Sequence, residues 1–111
     1  MTENISKEQL KEKIEGGSTI VVNVLSKEAY EDSHIKGSIS IPLEDLQKDG
    51  WEKLDKSKQI VTYCASTTCK GSKKAAEFLK GKEFNVVAYE GGIKEWSESG
   101  YPVEGTKKEG Q

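Results

Sequence analysis

The segment Ile60-Val-Thr-Tyr-Cys-Ala-Ser-Thr-Thr-Cys-Lys-Gly-Ser72, which continues as Lys73-Lys-Ala-Ala-Glu-Phe-Leu79, decides the fold of this chain. It begins with a short β-branched, apolar run of the kind that forms a buried strand. Small polar and cysteine residues follow, and after Gly71 apolar residues recur at helical spacing. The segment therefore predicts a strand, a tight loop and a helix, with Cys64 at the carboxyl end of the strand.

This placement predicts a reactive thiol at Cys64. A loop of small residues that leads into a helix can turn several backbone N–H groups inward and form a nest for an anion. The helix dipole and Lys70 add positive charge at the same end. In such surroundings cysteine pKa values fall to roughly 3.5–7.5, which makes Cys64 the candidate nucleophile. The alternative is a buried cysteine that only fills the core.

The remainder of the chain predicts a single α/β domain. Strands alternate with helices, and in a parallel sheet the reactive site lies outside the carboxyl ends of the strands. We expect a domain over residues 1–111 with its core at 5–103 and a frayed tail at 105–111. The first predicted helix begins with a capping box at Ser6–Gln9 and ends at Gly16–Gly17. The other predicted helices are Lys27–Asp32, a weak segment with Leu43, Leu46 and Trp51, and Ile93–Glu98. The other predicted strands are Ile20–Leu25, Ile39–Ile41 and Asn85–Tyr89.

Composition excludes several classes of function. Of the 111 residues, 33% are hydrophobic and 32% charged, and the net charge of -2 gives no electrostatic case for nucleic acid or a membrane surface. The chain has no apolar run of membrane-spanning length and no signal-peptide pattern, so we expect a cytoplasmic protein. Two cysteines and one histidine do not have zinc spacing, so no metal is expected.

Several motifs in order resemble one family. They are the strand Val21–Val24, His34-Ile-Lys-Gly-Ser38, Val61-Thr-Tyr-Cys64, Ser72-x-x-Ala-Ala-x-x-Leu79, Val87-x-Tyr-x-Gly-Gly-Ile-x-x-Trp96 and Gly100-Tyr-Pro-Val103. Together they resemble the rhodanese-like domain of single-domain sulfurtransferases, over roughly Ile5 to Val103. The resemblance implies an α/β domain with a mostly parallel central sheet of about five strands flanked by helices. It also implies that the sole histidine, His34, orients a structural turn.

The resemblance implies a persulfide mechanism without a cofactor. Cys64 would take a sulfane sulfur from thiosulfate, polysulfide or a protein persulfide and pass it to cyanide or a thiol. A sulfur-relay protein is a candidate partner, whereas nucleic acid and membranes are not. The anion-binding loop would consist of Ala65, Ser66, Thr67, Thr68, Cys69, Lys70 and Gly71. The hydroxyl groups of Ser66, Thr67, Thr68 and Ser72 can donate hydrogen bonds into the nest, and the alternative for Ser72 is that it only caps the helix.

Two departures from the family pattern keep alternatives open. The family commonly has Asp, a hydrophobic residue and Arg on the first strand, where this chain has Asn23, Val24 and Leu25; a charge pair that supports the site is therefore missing. The loop from Cys64 to Lys70 spans seven residues, as in phosphatases and arsenate reductases of the same fold. Those enzymes use arginine where Lys70 stands, and arginine grips an oxyanion through a two-point fork that lysine lacks.

Three functions therefore compete. The first is a sulfurtransferase, the second a thiol-based oxyanion reductase or phosphatase, and the third a non-catalytic sensing or binding module. The retained Cys64 argues against the third.

Cys69 has two interpretations. It is a candidate resolving thiol, which would form a disulfide with Cys64 and release sulfide from the Cys64 persulfide, or it is a small residue that lets the loop close.

Overall fold

The computed structural model describes residues 4–65 and 70–105 of the chain. Strands and helices alternate, as the sequence predicts. The helices are α1 (Lys7–Gly16), α2 (Lys27–Asp32), α3 (Leu43–Lys48), α4 (Gly71–Gly81) and α5 (Gly92–Glu98), with a 3-10 turn at Gly50–Lys53. The strands are β1 (Thr19–Asn23), β2 (His34–Ile35), β3 (Ile39–Ser40), β4 (Gln59–Tyr63), β5 (Val86–Tyr89) and β6 (Val103–Glu104).

The central sheet within the described residues has four parallel strands in the order β3-β1-β4-β5. The prediction of a mostly parallel central sheet flanked by helices is confirmed. The described residues form four of the expected number of about five strands, and Asn4 adds an isolated parallel bridge to Ala88 of β5. The two further strands, β2 and β6, form a separate antiparallel pair. Each has only two residues, which is too short to leave a periodic pattern in the sequence.

Local side-chain chemistry sets the helix boundaries. The Ser6 hydroxyl accepts from the Gln9 amide, and the Gln9 side chain accepts in return from the Ser6 amide, so the predicted capping box is present. Gly17 ends α1 in the left-handed conformation with φ 76°. Ser26 caps α2 through a hydrogen bond from the Ala29 amide. Helix α2 has the predicted bounds.

The sheet buries both faces, which explains its apolar strands. Along β4, Ile60 and Cys64 pack on the side of α3 and α4, whereas Val61 and Tyr63 pack on the side of α1 and α5. Alternate residues of β1, β4 and β5 thus belong to two separate cores. No helix in the described ranges is both long and apolar enough to span a membrane.

The carboxyl ends of β1 and β4 lie level with each other. Asn23 is the register partner of Tyr63, and the Val24 amide donates to the Tyr63 carbonyl at 3.1 Å. The chain leaves the sheet at Cys64 and re-enters regular structure at Gly71. This edge is therefore where a site built on Cys64 would lie. Of the predicted frayed tail, residues 106–111 lie outside the described residues.

Candidate functional site

Cys64 directly follows β4 and is 1% exposed. Its neighbours in the core include Ala75 and Ala76 of α4. The residue is disulfide-bonded in this structure, so the site is described in an oxidised form. The sequence has one other cysteine, Cys69, and the predicted loop residues Ser66, Thr67, Thr68 and Cys69 lie outside the described residues.

The first residues of α5 bind the backbone carbonyls of Cys64 and Ala65. The Ile93 amide donates to the Cys64 carbonyl and the Lys94 amide to the Ala65 carbonyl, each at 2.9 Å. Gly92 makes this approach possible, because a Cβ on it would stand 2.6 Å from the Ala65 carbonyl carbon and 2.7 Å from the Cys64 carbonyl oxygen. Its φ of 71° also favours glycine. In the sequence this Gly-Gly pair stands out only as part of the motif that runs from Val87 to Trp96.

The amino terminus of α4 faces the same edge of the sheet. The helix has 11 residues and begins at Gly71, and its N-cap residue Lys70 makes no side-chain capping bond. First-turn amides of an uncapped helix carry partial positive charge. Lys70, Lys73 and Lys74 are exposed around this end. The predicted loop therefore starts at a half-buried Ala65 and ends at a positively charged helix terminus.

A buried hydrogen-bond chain ties the residue before Cys64 to two other segments. The Tyr63 hydroxyl accepts from the Ile35 amide at 3.0 Å and from Asn23 Nδ2 at 3.1 Å. It also lies 2.7 Å from Ser38 Oγ, which donates its single proton to the Ile35 carbonyl. Tyr63 must therefore donate to Ser38. Asn23, Tyr63 and Ser38 are all buried, and each bond has one consistent direction.

Both polar atoms of the Asn23 side chain form a hydrogen bond. Its Oδ1 accepts from the Leu25 amide at 2.8 Å while its Nδ2 donates to Tyr63. The sequence interpretation treated Asn23 as half of a missing charge pair, but the structure gives a neutral side chain with both ends paired. Burial is the main cause that raises the pKa of Tyr63, partly opposed by its bonds with Ser38 and Asn23. The phenol is therefore neutral at physiological pH and can act as the donor that the chain of bonds requires.

His34 makes structural contacts. Its Nδ1 lies 2.7 Å from the Tyr30 carbonyl oxygen, and its ring stacks on the Tyr30 ring with centroids 3.8 Å apart. Its Nε2 lies 3.6 Å from a Glu104 carboxylate oxygen on β6. Both ring nitrogens thus serve the packing of β2 against α2 and β6. Within residues 4–65 and 70–105, no group of three or more His, Cys, Asp or Glu side chains is arranged to hold a metal ion.

Comparisons with known proteins agree with this geometry. Residues 6–99 match the model of the rhodanese-like domain. A crystal structure of a Bacillus halodurans protein is 36% identical with a TM-score of 0.88, and the match covers 96% of this chain and 79% of that one. A rhodanese-related protein from Thermoplasma volcanium is 33% identical with a TM-score of 0.82, over 92% of this chain and 97% of that one.

One curated relative is a much longer protein. A Porphyra purpurea protein named "Probable molybdopterin-synthase adenylyltransferase" is 33% identical over 79 residues, which cover 70% of this chain and 20% of that protein. The chain spans less than half the length of the curated relatives that it matches. The family assignment rests on the domain match, which includes the strand, the cysteine and the helix of the site. The chain belongs to the rhodanese-like domain family.

Proposed function

We propose that this protein is a sulfurtransferase that carries a sulfane sulfur on Cys64. The observation that carries the proposal is the position of Cys64 in a member of the rhodanese-like family: it follows β4 at the carboxyl edge of the sheet, where the amino terminus of α4 begins. A thiolate formed there would benefit from the helix dipole and from the charge of Lys70.

The reaction requires a reduced thiol, so it begins after reduction of the disulfide form. The Cys64 thiolate attacks the outer sulfur of thiosulfate, a sulfur–sulfur bond forms to Cys64, and sulfite leaves with the electron pair of the broken bond. In the second step an acceptor thiolate or cyanide attacks the outer sulfur of the persulfide. Cys64 leaves as a thiolate, and the product is a persulfide or thiocyanate.

The protein contributes a fixed cysteine backbone and a positively charged surrounding. The amides of Ile93 and Lys94 hold the carbonyls of Cys64 and Ala65, and the Tyr63 hydroxyl fixes the residue before the nucleophile. The exposed lysines around α4 favour an anionic donor such as thiosulfate over a neutral one. No general base is needed if the thiolate is already the stable form.

Steady-state formation of thiocyanate from thiosulfate and cyanide tests the proposal with the reduced protein. The unchanged chain and Cys69→Ser are expected to turn over, and Cys64→Ser is expected to be inactive. Turnover that persists in Cys64→Ser would refute the proposal. A polysulfide donor, run in parallel, distinguishes an enzyme that prefers another donor from one that transfers no sulfur.

The seven-residue spacing from Cys64 to Lys70 favours a second candidate, a thiol-based oxyanion reductase or phosphatase. Cys64 would then attack arsenate or a phosphate ester, and Lys70 would face the oxyanion. Lysine offers a point charge rather than a planar fork, so we expect replacement Lys70→Arg to raise this activity if it exists. Hydrolysis of an aryl phosphate and thiol-dependent arsenate reduction, with Cys64→Ser as control, measure it directly. If neither sulfur transfer nor oxyanion turnover occurs, the sensing or binding function is favoured.

A further inference from the structure

The Ser72 hydroxyl is a buried donor without an identified partner. Ser72 is 0% exposed, and within the described residues its Oγ has no hydrogen-bond partner. It lies in the first turn of α4, at the helix end that faces the Cys64 edge of the sheet. Buried hydroxyl groups are usually paired, and each exception requires an explanation. The Ser72 carbonyl, in contrast, has a partner in the Thr62 hydroxyl at 2.7 Å.

The Thr62 contact fixes where the Ser72 backbone lies along the strand. Thr62 and Cys64 are two residues apart, so both side chains extend to the α4 side of the sheet, roughly 7 Å apart along the strand. Helix α4 runs antiparallel to β4, because it connects two parallel neighbours. Its carbonyls therefore point back towards Thr62, whereas its Cα–Cβ bonds tilt towards the helix amino terminus. The Cα–Cβ bond of Ser72 therefore tilts in the direction that leads along the strand from Thr62 towards Cys64.

In its disulfide form Cys64 offers the Ser72 hydroxyl only a weak acceptor. A disulfide sulfur is a weak hydrogen-bond acceptor, whereas a thiolate is a charged acceptor and attracts a hydroxyl strongly. The structure contains the disulfide form. Reduction would place a charged sulfur at the buried end of the strand, beside the helix turn that holds an unpaired hydroxyl.

We propose that the Ser72 hydroxyl donates a hydrogen bond to the sulfur of Cys64 when that residue is a reduced thiolate. Ser72 is then a catalytic residue for sulfur transfer, since it touches the reacting atom. This extends the proposed function and rests on Cys64 as its nucleophile. The positive charges of Lys70, Lys73 and Lys74 act on the same thiolate from the helix end and remain in place in every variant used below.

The test is a titration of the Cys64 thiolate by its ultraviolet absorbance in the reduced Cys69→Ser chain, which has one thiol. The double variant that also lacks Cys64 supplies the baseline. Loss of a hydrogen bond to the charged form raises a pKa, so adding Ser72→Ala is expected to raise the thiol pKa by about one unit. Below the pKa the alkylation rate with iodoacetamide should fall about tenfold. Ser72→Thr retains the hydroxyl and should keep the lower pKa.

Ser40→Ala is the matched control. Ser40 Oγ is also buried without a partner in the described ranges, and it lies on β3, separated from β4 by β1. This substitution should leave the thiol pKa unchanged. An unchanged pKa in Ser72→Ala, or an equal shift in Ser40→Ala, would overturn the proposal.

A stability measurement excludes a merely structural role. In the oxidised chain with both cysteines the Ser72 hydroxyl has no bond to lose, so Ser72→Ala should unfold at the same temperature as the parent or higher. A lower unfolding temperature would show that the hydroxyl has a structural partner, and the proposal would fail. The thiol titration needs no sulfur donor. A shifted pKa without sulfur loading would therefore refute the proposed function and leave this inference standing.

Discussion

Removal of the Tyr63 hydroxyl tests the hydrogen-bond chain that fixes the residue before Cys64. Tyr63→Phe keeps the ring and deletes three contacts: those with the Ile35 amide, Asn23 Nδ2 and Ser38 Oγ. Two buried donors, the Ile35 N–H and the Asn23 amide, then lack an acceptor. Each such group costs about 1–3 kcal/mol, so the free energy of unfolding should fall by about 3 kcal/mol in total. For a domain of this size this is a large share of the stability, which is typically about 5–15 kcal/mol.

Urea unfolding of the oxidised protein measures the effect. The midpoint should fall while the m value stays constant, because the substitution leaves the surface exposed on unfolding nearly unchanged. Tyr101→Phe is the matched control. The Tyr101 ring packs edge-on against Trp96, and within the described residues its hydroxyl has no hydrogen bond, so its loss should cost less than about 0.5 kcal/mol. A Tyr63→Phe cost below about 1 kcal/mol, or one equal to that of the control, would refute the network.

Three further substitutions test separate parts of the structure. In Asn23→Asp, burial should raise the pKa of the new carboxyl group, and its protonated form can replace the amide as donor and acceptor. The loss of stability should therefore be small below about pH 4 and grow towards pH 7. A loss that is independent of pH in urea titrations would contradict this. Gly92→Ala should lose about 2 kcal/mol more than Gly17→Ala in thermal unfolding, because both positions have positive φ but only Gly92 lies against the Cys64–Ala65 backbone; equal losses would argue against this close contact. Glu83 is exposed with φ 70°, so Glu83→Gly should stabilise the domain by about 1 kcal/mol, and a lower unfolding temperature would exclude strain at this residue.

Local chemistry allowed much of the fold to be predicted from the sequence. The Ser6–Gln9 capping box and the Ser26 cap have short-range patterns, and both are present. The apolar strands and the position of Cys64 at a strand end also follow from patterns within a few residues. The β2–β6 pair could not be predicted in this way. Each strand has only two residues, and the residues that pair, His34 with Glu104 and Ile35 with Val103, are 70 and 68 positions apart in the sequence.

The surroundings of the candidate site depended more strongly on tertiary structure. Asn23, Ser38 and Tyr63 are distant in sequence, and only the register of β1 with β4 and the turn after β2 bring them together. The family pattern therefore reveals the missing charge at Asn23, whereas the neutral network in its place is visible only in the structure. The role of Gly92 could not be predicted from its motif either, since its contact with the Cys64 backbone requires α5 to pack against the end of β4.

The most direct test of the central claim is the intact mass of the reduced protein after incubation with thiosulfate and, separately, with polysulfide. Persulfide transfer through Cys64 predicts the gain of one sulfur atom in the unchanged chain and in Cys69→Ser, and no gain in Cys64→Ser. Cyanide should then remove the added sulfur. No gain with either donor, or a gain that persists in Cys64→Ser, would contradict the account. A loss of two hydrogens that requires both cysteines, without any sulfur gain, would identify a redox pair instead.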